Sequence, residues 1–256
     1  MNNKQMTRKK NIRRPNELFC LLALAMRASF ICCLLFIFSP SAFAQTSGYD
    51  QFLGETVFYD VKSLATKQAD ASLEFKEKVM INGHEAYLIL FKAKGPMITD
   101  EEKIFADTED LYPLRIERVV HYLGSQERII ETYDQDKHTV AVRKTTKAKP
   151  AAETFVLKKI SKIDNIYCFI YRYRLRGDFK IGSALQMYLP TKDVSIRIMR
   201  AEPLKAAGQT YNALFLQTLP RQYELWFDAG AEKIPLRIDK PAAIGGTSMI
   251  MREYKK

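Results

Sequence analysis

Apolar and polar residues alternate along most of this chain with a period of two. Val57, Tyr59 and Val61 share one parity after Gly54-Glu55. Val194, Ile196 and Ile198 alternate with Ser195, Arg197 and Met199. Ile129, Glu131 and Tyr133 lead into Asp134-Gln135-Asp136-Lys137, beyond which Val140 and Val142 take one side and Thr139 and Ala141 the other. Residues 247–254 read as a closing strand after Gly245-Gly246. Successive strand side chains point to opposite faces, so the pattern predicts half-buried antiparallel strands joined by short turns. Residues 144–150 are polar and basic without a period, as in a loop or a long hairpin tip.

One segment departs from this rhythm. Ile163, Ile166, Tyr167, Ile170 and Tyr171 have helical spacing. Ser161 followed by Asp164 resembles a capping box, and Gly177 supplies a stop. The spacing predicts a helix over 161–176, although residues 171–176 also alternate as a strand would.

Two stretches spell nearly the same β-hairpin. Ile104-Phe105-Ala106-Asp107 precedes Tyr112-Pro113-Leu114-Arg115-Ile116, and Leu225-Trp226-Phe227-Asp228 precedes Ile234-Pro235-Leu236-Arg237-Ile238. In each, an apolar strand ends on an Asp whose side chain suits a turn. In each, a Pro opens the next strand, where its missing N–H costs no ladder bond. Gly83 and Gly208, each before an apolar run, extend the match upstream. The expected fold is mainly β: a curved antiparallel sheet, half-barrel or open barrel, built of two related hairpin halves (about 54–143 and 182–254). The helix would pack against it.

The N-terminus changes the picture. Arg8, Lys9, Lys10, Arg13, Arg14 and Arg27 precede an apolar run over 28–38, then Pro40 and Ala42-Phe43-Ala44. That is the layout of a secretory signal peptide over 1–44, cleaved after Ala44, with Met26 as an alternative start. The apolar core is shorter than the roughly 20 residues of a spanning helix, so the chain is expected in the periplasm and not membrane-spanning after cleavage. Residues 45–256 would form a single β-rich domain. Seven of the 40 basic residues and one of the 29 acidic ones lie in 1–44, leaving 33 against 28, a net of +5. Three of the four cysteines lie there too; Cys168 remains and cannot form an internal disulfide.

Gly54-Glu55, Gly83, Asp107 with Pro113-Leu114-Arg115, the Tyr-rich helix ending near Arg174, Gly182, Pro190 and Ala207-Gly208 occur in a recognisable order. Trp226-Phe227 and Pro235-Leu236-Arg237-Ile238 continue it. In this order the chain resembles the bacterial exported family known as domain of unknown function 3108. The resemblance implies a periplasmic antiparallel β protein akin to lipoprotein-carrier half-barrels, which hold acyl chains. It carries over no catalytic residue. The long basic leader and the charged stretch 144–149 depart from the family pattern.

Candidate chemistry is sparse. Cys168 sits in an aromatic, helical setting that suits a small buried hydrophobe, and a nucleophilic role would need His84, His121 or His138 beside it. The three His are scattered, so no metal site is expected, and no cofactor fingerprint is present. Asp107, Glu109 and Asp110 cluster in the first hairpin loop, but Asp228 and Glu232 recur in the second, as turn-forming residues would. Arg115 and Arg237 could pair with Asp107 and Asp228, making Asp107, Pro113, Arg115, Asp228, Pro235 and Arg237 structural repeat positions. Arg172, Arg174 and Arg176, interleaved with Tyr171 and Tyr173, fit an anionic envelope partner better than nucleic acid in an exported chain. With Trp226 they are the candidate ligand-binding residues, beside the reading that all six are structural. A lumen-facing Trp226 would favour a hydrophobic cargo.

These features point to a non-enzymatic periplasmic binding, carrier or chaperone-like protein for a hydrophobic or envelope-derived ligand, with a lipid or anionic envelope component as partner. The alternatives are an envelope hydrolase using the acidic hairpin-loop carboxylates and an assembly factor pairing through an exposed sheet edge.

Overall fold

The alternation written into the chain becomes strands almost everywhere it occurs. A computed structural model of the protein describes residues 48–64, 66–242 and 246–256; the signal peptide expected over 1–44 lies outside them. After a short 3-10 helix, Gly48–Phe52, come β1 (Thr56–Ser63), β2 (Thr66–Ile81), β3 (His84–Lys94), β4 (Ile98–Asp107) and β5 (Pro113–Tyr122). β6 (Ser125–Asp134), β7 (Thr139–Thr146) and β8 (Glu153–Lys158) complete the first run. Helix α1 (Ile166–Arg176) follows, then β9 (Ala184–Tyr188), β10 (Asp193–Ala206), β11 (Gln209–Leu219), β12 (Glu224–Asp228), β13 (Pro235–Lys240) and β14 (Thr247–Lys255).

All fourteen strands among the described residues form one curved, open antiparallel sheet. Its order is β8 through β1, then β14 back to β9, so consecutive strands pair throughout except β8 and β9. β1 and β14 pair along their lengths and join two meanders, with Tyr59 opposite Met251. β8 and β9 are the two edges, and the chain crosses from one to the other through α1. The crossing is tied twice to the β9–β10 edge. Lys159 Nζ reaches Asp193 Oδ1 at 2.7 Å, and the Asp164 N–H donates to the Tyr188 carbonyl at 2.7 Å.

The two hairpins repeat in three dimensions. Asp107 N–H donates to Tyr112 C=O and Asp228 N–H to Ile234 C=O, each at 2.9 Å. Phe105 faces Arg115 across one ladder and Trp226 faces Arg237 across the other, with a bulge one step later in both. Upstream, Asn82-Gly83 and Ala207-Gly208 have positive φ at both residues, as tight two-residue hairpin turns require. The arginines do not take the expected partners. Arg115 binds Glu117 and Arg237 binds Asp239, each two residues along its own strand. Same-face neighbours on one strand are nearer than a turn residue whose oxygens already cap backbone N–H groups, as Asp107 Oδ1 does for Glu109 and Asp110.

Helix α1 lies on the sheet's hollow side and is buried nearly all round, which fits its lack of a polar face. Tyr171 packs on Phe52 and Phe75 at centroid distances of 5.3 and 4.8 Å, and Tyr167 stacks on Phe91 at 4.8 Å. Tyr173 meets Phe227 of the second meander at 6.3 Å. The helix starts five residues later than the sequence pattern predicts. Ile163 N–H goes to Gln135 Oε1 and Asp164 N–H to Tyr188, so these groups serve tertiary links. Asn165 is the cap instead, its side chain accepting from Tyr167 N–H at 2.8 Å. Asp164 turns to Arg172. No helix among the described residues is long and apolar enough to cross a membrane.

Candidate functional site

Helix α1 fills one end of the hollow and leaves the other open. Its C-terminal half packs toward the starts of β1 and β13, while its first turn, at Asp164 to Tyr167, forms the floor of a cavity of about 960 Å3. The mouth is ringed by turns at the far end of the sheet, including Leu64, Met97, Tyr122, Thr191 and Gln222. One wall is apolar: Val61, Ala69, Ile238 and Met249 come from β1, β2, β13 and β14. Phe91, Ile116, Ile166 and Leu189 continue it around the sides.

The wall formed by β4, β5 and β6 is polar. Asp100 and Glu102 occupy the inward parity of β4, shared with Ile104 and Ala106, and both are largely buried. Arg118, opposite Glu102 on β5, donates to Asp100 through Nε at 2.9 Å and Nη2 at 2.5 Å. Its Nε lies 3.8 Å from Glu102 Oε2. The Asn165 side-chain amide donates to Glu102 Oε1 at 2.9 Å, so the residue that caps α1 also reaches the site. Burial pushes the Glu102 carboxyl up to about 7; Arg118 and the Asn165 bond oppose this, and Asp100 and Glu131 add to it. Burial also raises Glu131, although the Tyr133 hydroxyl donates to it and Arg118 is near. The Arg118 guanidinium is held more firmly protonated by its hydrogen bonds to Asp100.

The arrangement can hold a ligand with an apolar body against one wall and hydrogen-bonding groups against the other. Three acids and one Arg give the polar wall an acidic balance. Among the described residues no group of His, Cys, Asp and Glu is disposed to hold a metal ion.

The residues singled out from sequence lie elsewhere. None of Trp226, Tyr171, Tyr173, Arg172, Arg174 and Arg176 lines this cavity. Trp226 is on the sheet face opposite Phe227, stacked on Phe215 at 4.7 Å beneath Arg237, with Nε1 donating to Glu202 at 2.6 Å. Because neighbouring strand residues alternate, the inward place belongs to Phe227. Tyr171 is fully buried and Tyr173 donates to Asp178 C=O at 2.7 Å. Arg172 pairs with Asp164, Arg174 with Glu55, and Arg176 donates to Glu109 C=O at 2.6 Å. Cys168 is fully buried, and burial drives its thiol well above the ordinary range. The hairpin-loop acids also serve structure, since Asp110 accepts from Tyr112 N–H and pairs with Lys162.

The polar wall is what sequence reasoning missed. Its signal is the alternation Ile98, Asp100, Glu102, Ile104, Ala106, which sets two acids on a strand's apolar parity.

The family model described as "Protein of unknown function (DUF3108)" matches residues 58–252. No curated protein matches the chain. Among solved structures, the chain is similar to a β-barrel-like protein of domain of unknown function DUF1849 from Brucella abortus. Identity is 10%, the TM-score 0.46, and the match covers 78% of this chain and 96% of that one. It is also similar to a Bacteroides fragilis protein described as exported with a YmcC-like fold, at 8% identity and a TM-score of 0.27, covering 79% and 96%.

Proposed function

The chain belongs to the DUF3108 family of unknown function, and we propose that it is a non-enzymatic periplasmic binding or carrier protein for an amphipathic envelope-derived ligand. The observation that carries this reading is the cavity of about 960 Å3 between α1 and the open end of the sheet. Small-molecule sites fall roughly in the range 300–1,000 Å3, with mostly apolar linings and a few placed polar groups. Here the apolar body of the ligand lies along Val61, Ala69, Ile238 and Met249. Its hydroxyl or amine groups face Asp100, Glu102 and Glu131.

Native mass spectrometry of protein recovered without detergent from its own envelope tests the reading. The expected spectrum contains a species heavier than the polypeptide by the mass of an amphiphile. Protein that arrives empty and then takes up no lysophosphatidylethanolamine or monoacylglycerol on titration overturns it.

A second reading, hydrolysis of an envelope component, draws on Glu102. A carboxyl with a midpoint near 7 can serve as a general acid at neutral pH. It requires turnover that Glu102→Gln abolishes while ligand uptake persists.

A further inference from the structure

Because neighbouring strands run antiparallel, every second turn of the sheet gathers at the end where the cavity opens. Three of these turns hold large apolar side chains out in water. Leu64 lies between β1 and β2, Met97 between β3 and β4, and Tyr122 ends β5 beside Leu123 in the turn to β6; all four are more than half exposed. The tips belong together. Leu123 N–H donates to Met97 C=O at 3.2 Å, and Leu64, Met97 and Tyr122 share the rim of one cavity. Apolar groups scattered singly over a surface are ordinary, whereas a contiguous set marks an interaction site.

Charge sorts the same way. Lys94 adjoins the Met97 turn, Lys192 lies between β9 and β10, and Lys240 ends β13. Lys147 lies between β7 and β8, its N–H donating to Gln126 C=O at 3.0 Å. All four are exposed, and none has an ion-pair partner among the described residues, although nearby Lys92, Lys144 and Lys149 do. Turns at the opposite end mix the two signs: Asp107, Glu109, Asp136, Asp228 and Glu232 occur there with Lys137 and Lys233, and Lys137 is paired with Asp134. The open end is therefore apolar at its tips and basic around them.

We propose that this end docks on an anionic phospholipid bilayer. Leu64, Met97, Tyr122 and Leu123 enter the interface, and the four lysines meet lipid phosphates. The cavity mouth then opens onto lipid. Tyr at the level of the headgroups, with Lys beside it, is the side-chain pairing a bilayer interface favours. The inference goes beyond the binding reading, because a cavity can also be filled from water.

Flotation with vesicles tests it, using protein recovered from the envelope fraction. The protein should float with phosphatidylcholine vesicles containing phosphatidylglycerol and remain behind with phosphatidylcholine alone. Each of Lys94→Glu and Lys240→Glu should weaken association by about fivefold or more. The pair Met97→Ser with Leu123→Ser should abolish flotation, while Met80→Ser, exposed at the opposite end, should change nothing. Circular dichroism confirms that each variant is folded. Equal binding to neutral vesicles, or a tip pair that floats like the parent, overturns the proposal. So does a dimer in solution that the tip pair disperses, because a second copy would then be the occupant. A tip pair that takes up amphiphile from solution but no longer floats supports docking; a parent that floats yet takes up no amphiphile removes only the binding reading.

Discussion

Arg174, near the end of α1, donates through two guanidinium nitrogens to both carboxylate oxygens of Glu55, and solvent reaches neither side chain. The same guanidinium bonds the Glu232 carbonyl at 3.0 and 3.2 Å, and the Tyr254 hydroxyl donates to Glu55 at 3.1 Å. One buried pair thus fastens the helix to the entry of β1, the loop between β12 and β13, and β14.

Breaking this pair leaves a charge in the interior without its counter-ion. Arg174→Leu is expected to cost about 3–5 kcal/mol. The double variant Glu55→Leu with Arg174→Leu strands no charge, so it should lie closer to the parent. Urea unfolding of the parent, both single variants and the double variant measures the coupling. A double variant as unstable as the sum of the singles would show that the pair does not act as a unit.

Glu102 links the cavity wall to pH. Its midpoint rises from 4.5 to about 7 in the fold because burial disfavours the carboxylate. The folded protein therefore holds this proton more tightly than the unfolded chain. The stability this supplies is complete below the unfolded midpoint and is lost as pH climbs through the folded one. Between pH 4.5 and 7 the loss amounts to about 3 kcal/mol at about 1.4 per unit. Glu131, raised for the same reason, adds in the same direction. Glu102→Gln should flatten the decline and leave the protein more stable than the parent at pH 8. A parent whose unfolding free energy is level from pH 5 to 8, measured in urea, contradicts the assignment.

The helix cap offers a sharper test of the same wall. Asp and Asn cap helices about equally well, so Asn165→Asp would be neutral if capping were the only role. Here the amide also donates to Glu102 at 2.9 Å. Replacing it removes that donor and sets a second carboxylate beside the first. The expected loss is about 1–3 kcal/mol, larger at pH 8 than at pH 5 because Glu102 is ionised only at the higher pH. Thermal melts at the two pH values read the difference, and equal losses would deny the contact.

Hairpins were legible in the sequence because their information is local. Period two, Pro113 and Pro235 at strand starts, and strands ending on the turn-forming Asp107 and Asp228 need no distant partner to take shape. The later start of α1 was hidden, since Ile163 and Asp164 are withheld from the helix by Gln135 and Tyr188, groups 28 and 24 positions away. Trp226 could have been placed by parity: Phe227 takes the helix side, so its neighbour faces out. The cavity wall was obscured for a different reason. Asp100 and Glu102 read as surface residues by composition, and Arg118, which makes their burial tolerable, comes from the next strand. Electrostatic compensation across a ladder becomes visible only after the register is known.

Two alanines on the same sheet face separate an open cavity from a packed core. Ala93 on β3 lines the cavity, and Ala106 on β4 is fully buried at the end that α1 fills. Both point inward, since Ala93 pairs with Asp100 and Ala106 with Tyr87, residues of that face. Ala106→Phe must force a ring into occupied space, at a cost of about 1–3 kcal/mol or more. Ala93→Phe places the same ring in space that side chains leave free, so stability should stay within about 1 kcal/mol of the parent. Amphiphile uptake should fall at least tenfold, because the ring takes the volume the ligand needs. Urea unfolding and a ligand titration on both variants decide the matter. If Ala93→Phe destabilises as much as Ala106→Phe and uptake is unchanged, the hollow between Asp100 and Met249 is not where anything binds.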